Sequence, residues 1–164
     1  MNQPVNEIWL KPDFLNPEQT TSLLQFMDER NGKGKFEPYE NTVIFGLKYT
    51  PWHNRKIRNI MKYYRSYVSR EFNLSLNYDQ LVVWAPGAGK DLHKDGIDET
   101  NNEWVSVCYL NDDFNGGETV IEDQMIKPQR GGLAVFNSNN YYHGVRPADG
   151  WRFTYIAWWK KKKG

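Results

Sequence analysis

Leu92-His93-Lys94-Asp95 sets an imidazole and a carboxylate two residues apart. On an extended strand, residues at that spacing point to the same face, so the run reads as one wall of a β-built site. An imidazole nitrogen and a carboxylate oxygen on one face can fill two adjacent positions around a divalent metal. A third ligand stands fifty residues downstream, in Tyr141-Tyr142-His143-Gly144-Val145, just ahead of another strand-like run. Two histidines and one carboxylate that leave positions open form the facial ligand set suited to non-haem Fe(II). Nine residues after His143 comes Arg152, a cation spaced to hold an organic acid. A lone His-x-Asp reads as an exposed pair after a Gly-rich turn; the four residues together read as a cofactor site.

The chain around them has 164 residues, enough for one domain with a real core and too few for two. Its formal charge of +1 provides no strong field for nucleic acid or membrane. Lys160-Lys161-Lys162-Lys163 is a local exception, read as a solvated tail in preference to a docking patch. Met1-Asn2-Gln3-Pro4 opens a polar segment without the apolar stretch of a signal peptide. No run approaches the roughly 18 apolar residues of a membrane span. A soluble, cytoplasmic protein is expected. The single Cys108 excludes an internal disulfide framework and reads as a small buried hydrophobe. Aromatic residues make up 15% of the chain, many of them in its second half among strand signals, which suits a β-rich domain with a side-chain-lined pocket.

Taken in order, residues 4–15 read as extended. Asn16-Pro17-Glu18-Gln19 then predicts a helix start, with Asn as N-cap, Pro at the first helical position and Gln three residues past the cap. Leu15 is placed for a hydrophobic staple, Leu23, Leu24, Phe26 and Met27 form the apolar stripe, and Asn31-Gly32 ends the helix. Residues 32–50 read as a Gly/Lys stretch followed by a strand pair or loop around Val43-Ile44-Phe45. Thr50-Pro51 predicts the second helix start. That helix gathers Ile57, Ile60, Met61, Tyr64, Tyr67, Val68 and Phe72 on one face. Its other face, Arg55, Lys56, Arg58, Lys62, Arg65 and Arg70, reads as solvated. From residue 77 the apolar period falls to two. Strands are predicted over 80–84, 104–110, 118–121, 132–136 and 152–159, separated by Gly- and Asn-rich turns. Short strands at such spacing predict a sandwich or jelly roll with both helices on one face. One domain is expected over 1–164, with helical support over 1–75, a β core over 76–160 and a basic tail over 160–164.

The motif set from Val82 to Trp159 resembles the Fe(II)- and 2-oxoglutarate-dependent dioxygenases, and within them the prolyl 4-hydroxylase branch. The residues that carry the likeness are His93-Lys94-Asp95, Tyr109-Leu110-Asn111, Gly116-Gly117-Glu118-Thr119, Pro128 to Phe136, His143-Gly144-Val145, Arg152 and Trp158. Pro12-Asp13-Phe14-Leu15 also resembles the opening segment of that branch. The resemblance implies an α+β, mainly β fold: a double-stranded β-helix with N-terminal supporting helices. It also implies Fe(II) on His93, Asp95 and His143, with 2-oxoglutarate anchored by Arg152, O₂ as oxidant and ascorbate as reductant. A planar two-pronged guanidinium suits the distal carboxylate. Collagen-type enzymes use Lys there, so Arg resembles the oxygen-sensing type.

Tyr109 and Thr119 match positions whose hydroxyls contact the cosubstrate in that branch, with ordinary strand packing as the alternative. Trp158 matches a pocket-wall aromatic near the substrate, again with core packing as the alternative. Two positions depart from the branch: Trp84 stands where a Tyr is common, and Asn102 where an Arg binds substrate backbone. Both are candidate pocket residues. The Gly96–Glu103 and Gly32–Tyr49 segments are candidate substrate loops, whereas His53 reads as a surface or helix-cap residue. The function implied is hydroxylation of a proline in a protein or peptide. A hydroxylase of a free amino acid, small molecule or nucleic-acid base is the alternative, and a metal-holding jelly roll without turnover is a third reading.

Overall fold

The computed structural model describes residues 6–32, 36–39, 41–47, 54–96 and 101–163. Two helices, α1 (Pro17–Gly32) and α2 (Arg55–Phe72), join eleven strands. The strands are β1 (Ile8–Lys11), β2 (Phe36–Tyr39), β3 (Asn41–Leu47), β4 (Leu74–Trp84), β5 (Lys90–His93) and β6 (Trp104–Tyr109), then β7 (Thr119–Ile121), β8 (Gln124–Ile126), β9 (Leu133–Asn137), β10 (His143–Val145) and β11 (Arg152–Lys161). They form a seven-stranded sheet in the order β1-β9-β6-β11-β4-β3-β2 and a four-stranded sheet in the order β5-β10-β7-β8. All described pairings are antiparallel. This is the mainly β jelly roll expected from the motifs.

The predicted start of α1 holds at atomic detail. Asn16 Oδ1 accepts from the Gln19 backbone N–H at 2.8 Å, and Gln19 Oε1 accepts from the Asn16 N–H at 2.9 Å, a reciprocal capping box. The second helix starts later than Thr50-Pro51 predicts. Asn54 is its N-cap, accepting from the Ile57 N–H at 3.1 Å; Thr50-Pro51 and His53 lie outside the described residues. Asn fills the cap as well as Thr would, and its amide is the one in reach of the first turn. The α2 helix ends on Asn73, which is left-handed at φ 55°. The chain turns there, so β4 begins at Leu74, ahead of the start predicted at residue 80. Asn is among the few non-Gly residues that adopt that conformation readily.

The large sheet separates two apolar layers. One holds Leu23, Phe26 and Met27 of α1 and Ile57, Ile60, Met61, Tyr64 and Val68 of α2, against Leu81, Val83, Tyr155, Ala157 and Trp159. Each large side chain buried there contributes about 1.5–3 kcal/mol. The basic face of α2 is not wholly solvated: Arg65 clamps Asp79 of β4 through Nε at 2.6 Å and Nη2 at 2.9 Å. The other layer faces the small sheet and holds Val82, Trp84, Val105, Val107, Tyr109, Phe136, Ile156 and Trp158. Alternation along β11 thus sends Tyr155, Ala157 and Trp159 to the helices, and Arg152, Ile156 and Trp158 to the pocket.

The N-terminal part supplies strands as well as helical support. Strand β1 closes one edge of the large sheet beside β9, while β2 and β3 extend the other beside β4. Most of Gly32–Tyr49 is therefore paired strand rather than a substrate loop. The lysine run is likewise not all tail, since Lys160 and Lys161 pair with Ser75 and Leu74 at the end of β11. Burial pushes the Cys108 thiol up, in keeping with a packed hydrophobe. No helix is long and apolar enough to cross a membrane among the described residues.

Candidate active site

His143 opens β10 and pairs in register with His93 of β5 on one side and Ile121 of β7 on the other. The two imidazole centroids lie 4.3 Å apart. Asp95 Oδ1 sits 3.4 Å from His93 Nε2 and 3.6 Å from His143 Nε2. The three side chains offer one ligand atom each, all within 4.8 Å of one another.

The remaining ring nitrogens fix the tautomers. His93 Nδ1 lies 2.8 Å from the Asp91 carbonyl, and His143 Nδ1 lies 3.1 Å from the Tyr141 carbonyl. A carbonyl only accepts, so each Nδ1 carries a proton and each ring turns its Nε2 toward Asp95. Both Nε2 atoms then face the same carboxylate oxygen. Burial pushes the Asp95 carboxyl up, but His143 and His93 outweigh it and hold it well below the usual carboxylate range. The set could hold a divalent ion.

The strand spacing that pairs His93 with Asp95 in the sequence is not what brings them together. Strand β5 ends at His93, and Asp95 lies in the bend beyond it. Strand alternation does not hold the carboxylate. Its backbone N–H donates to the Ser138 carbonyl at 2.9 Å, and Asn139 Nδ2 donates to the Asp95 carbonyl at 2.9 Å. Ser138 and Asn139 were missed because Asn137-Ser138-Asn139-Asn140 reads in sequence only as a polar turn.

Arg152 opens β11 and is 2% exposed. Its Nε donates to the Gly117 carbonyl at 2.9 Å and its Nη2 to Thr119 Oγ1 at 3.4 Å, while Nη1 is buried without a partner. Burial pulls the guanidinium down to about 10. A buried cation with an open donor edge calls for an anion. Gly117 permits the close approach: it is left-handed at φ 73°, and a Cβ there would meet Phe114 at 2.7 Å and Arg152 Cδ at 3.2 Å. Tyr109 and Thr119 share a hydroxyl hydrogen bond of 2.5 Å beside Arg152, whose guanidinium carbon is 5.5 Å from the Tyr109 ring. Trp84 pairs with Arg152 across the β4–β11 ladder, its ring 5.2 Å from the guanidinium carbon and its buried indole Nε1 unpartnered.

One cavity of about 350 Å³ joins these groups, bounded by Arg152 and Thr119, by the three candidate ligands, and by Tyr78, Asn102 and Trp158. Trp158, six residues beyond Arg152 on the same face of β11, is on the order of 20 Å from it along the strand. It stacks on Tyr78 with centroids 4.5 Å apart and planes at 14°. Asn102 is buried and accepts from Asn77 Nδ2 at 2.6 Å. Of the Gly96–Glu103 loop, residues 97–100 lie outside the described residues.

The model of the 2OG-Fe(II) oxygenase superfamily matches residues 78–160, half of the chain. The chain belongs to that superfamily. It is a 2-oxoglutarate-dependent oxygenase, and membership implies Fe(II), 2-oxoglutarate and O₂. Among curated proteins, no sequence matches it. Among solved structures, a prolyl-4-hydroxylase of Pseudomonas putida is similar, with a TM-score of 0.77 and 21% identity over 96% of this chain and 94% of that one. A prolyl hydroxylase from Trichoplax adhaerens, in complex with a hypoxia inducible factor oxygen degradation domain peptide fragment, gives 0.76 and 19% over 94% and 83%. The viral collagen prolyl hydroxylase of Paramecium Bursaria Chlorella virus-1, in its 2OG complex, gives 0.72 and 18% over 96% and 97%. At these identities the likeness is one of fold.

Proposed function

We propose that this oxygenase hydroxylates a proline in a protein or peptide, releasing succinate and CO₂ from 2-oxoglutarate. His93, Asp95 and His143 hold Fe(II), and Arg152 pairs with the distal carboxylate of 2-oxoglutarate, helped by Thr119 and Tyr109. Bound iron supplies the chemistry that couples O₂ to oxidative decarboxylation and substrate hydroxylation. The protein orients and encloses. The Nδ1–carbonyl bonds aim both Nε2 lone pairs at the metal position. The partnerless Nη1 of Arg152 is the single observation that carries the cosubstrate assignment.

The prolyl reading is supported by the shape of the cavity beyond the ligands, where Ile156 and the Trp158–Tyr78 stack give an apolar wall suited to a saturated ring. It is also supported by the prolyl hydroxylases among the fold's neighbours. Asn102 favours a second reading. Its carbonyl oxygen is bound by Asn77, and an amide in place of a guanidinium gives a weaker grip on a peptide backbone. A free amino acid or other small substrate would suit that end as well.

Succinate formation decides between them, measured with Fe(II), 2-oxoglutarate and ascorbate, with and without a proline-rich peptide, beside His143→Ala. Peptide-stimulated succinate that the variant loses is the expected result. Succinate stimulated by free amino acids and indifferent to peptide would transfer the assignment to the second reading. No succinate under any condition, with no Fe(II) bound, would sink the iron-site assignment itself.

A further inference from the structure

Asp95 is the one candidate ligand that no strand carries, and the loop that carries it has an unfinished contact. Asn137 Oδ1 shapes this loop by accepting from the backbone N–H groups of Asn139 at 3.0 Å and Asn140 at 2.9 Å. The Ser138 and Asn139 N–H groups fasten it to the Glu103 carbonyl at 3.0 and 3.2 Å. From that anchorage it grips the Asp95 backbone on both sides, through the Ser138 carbonyl and the Asn139 amide. Ser138 is fully buried, and its hydroxyl has no partner at hydrogen-bond geometry. Asp95 Oδ2 is also buried without a partner, while Oδ1 faces the two imidazoles.

A buried polar group left unmade costs about 1–3 kcal/mol. Here a donor and an acceptor are both orphaned on residues already bonded through their backbones. A hydroxyl turns freely about its Cβ–Oγ bond, so Ser138 can direct its proton at the open carboxylate oxygen. We propose that Ser138 is a positioning residue that donates to Asp95 Oδ2, keeping that oxygen off the metal so that Oδ1 alone ligates. The inference rests on the iron site proposed above. Outer partners of metal ligands are worth roughly 10–100-fold in metal affinity.

The test is titration of the metal-free protein with Co(II), read by its d–d absorption, for wild type, Ser138→Ala and Ser138→Thr, each checked by thermal melting. Ser138→Ala is expected to bind about tenfold or more weakly, with a changed band shape as the freed Oδ2 joins the metal. Ser138→Thr keeps the hydroxyl and is expected to retain wild-type binding and band. Wild-type affinity and band in Ser138→Ala would overturn the proposal. Equal weakening in both variants would also overturn it, because the effect would then be packing. Wild type that binds no Co(II) would overturn the iron site, so the two failures are distinguishable.

Discussion

Arg152 and Asp95 are the two charged anchors of one cavity, and the protein holds them in opposite ways. Arg152 stands on β11, with β4 paired along one side and β6 taking up the pairing two residues further on at Thr154, so its backbone is set by a long ladder. Asp95 lies past the end of β5 and is held by a turn from another part of the chain. The strand-borne charge is rigid and keeps one buried donor, Nη1, without a partner. The loop-borne charge is compensated by its neighbours, yet its placement depends on a few local bonds. Function and stability should therefore separate at Arg152 and travel together at the loop.

The largest effect is expected at Arg152. Replacing it with Met removes a charge-assisted contact worth about 3 kcal/mol, so the dissociation constant of 2-oxoglutarate should rise by about 100-fold. The ligand-free protein should melt no lower than wild type, since burial has already pulled this cation down to about 10. The sign follows from linkage. Below pH 10 the folded wild type carries a buried charge, and between the folded and unfolded pKa values the unfolded state binds more protons, so stability from this group rises with pH. Any Tm advantage of Arg152→Met should shrink as pH passes about 10. A large Tm loss in the variant, with 2-oxoglutarate binding unchanged, would make Arg152 a structural residue.

The opposite coupling is expected at Asn137. Its Oδ1 satisfies two backbone donors, so Asn137→Ala should cost about 1–2 kcal/mol of stability. The same change should loosen the loop under Asp95 and weaken Co(II) binding by about tenfold. Thermal melting and the metal titration read the two together. If the loop is irrelevant to the ligand, Tm will fall and metal affinity will not.

This division also explains what could be read from the chain before folding. The helices were legible because capping and period are local: Asn16 and Gln19 meet across one turn, and the α2 face repeats at 3.6 residues. Histidine, carboxylate and arginine announced the site because few other roles require them at such spacing. The short strands β1, β5, β8 and β10 were weak signals, being three or four residues long, and all but β8, which forms a hairpin with β7, are held by partners distant in sequence. The true support of Asp95 was invisible for the same reason. Ser138 lies 43 residues from it, and nothing in Asn-Ser-Asn-Asn says which backbone it will grip. Trp84 was marked only as a pocket residue from motif comparison; its register with Arg152, which sets its ring beside the guanidinium, was not legible.

The smallest effect sharpens the contrast at the strand-borne end. Tyr109 lies on β6, and its hydroxyl meets Thr119 Oγ1 next to the Arg152 guanidinium. Burial raises the Tyr109 phenol, so it stays protonated and can donate, either to Thr119 or to an incoming carboxylate. If it serves the cosubstrate, Tyr109→Phe should raise the 2-oxoglutarate dissociation constant by about fivefold, the worth of roughly 1 kcal/mol for one neutral hydrogen bond. The Tm of the ligand-free protein should change little, because Thr119 Oγ1 still accepts from Arg152 Nη2. If Tyr109 is only packing, the phenyl ring keeps that packing and binding will not move, whereas the lost Tyr109–Thr119 bond will appear in Tm. A fall in affinity at constant Tm would put Tyr109 with Arg152 as a residue that acts on the ligand; the reverse would leave Arg152 and Thr119 to hold that carboxylate.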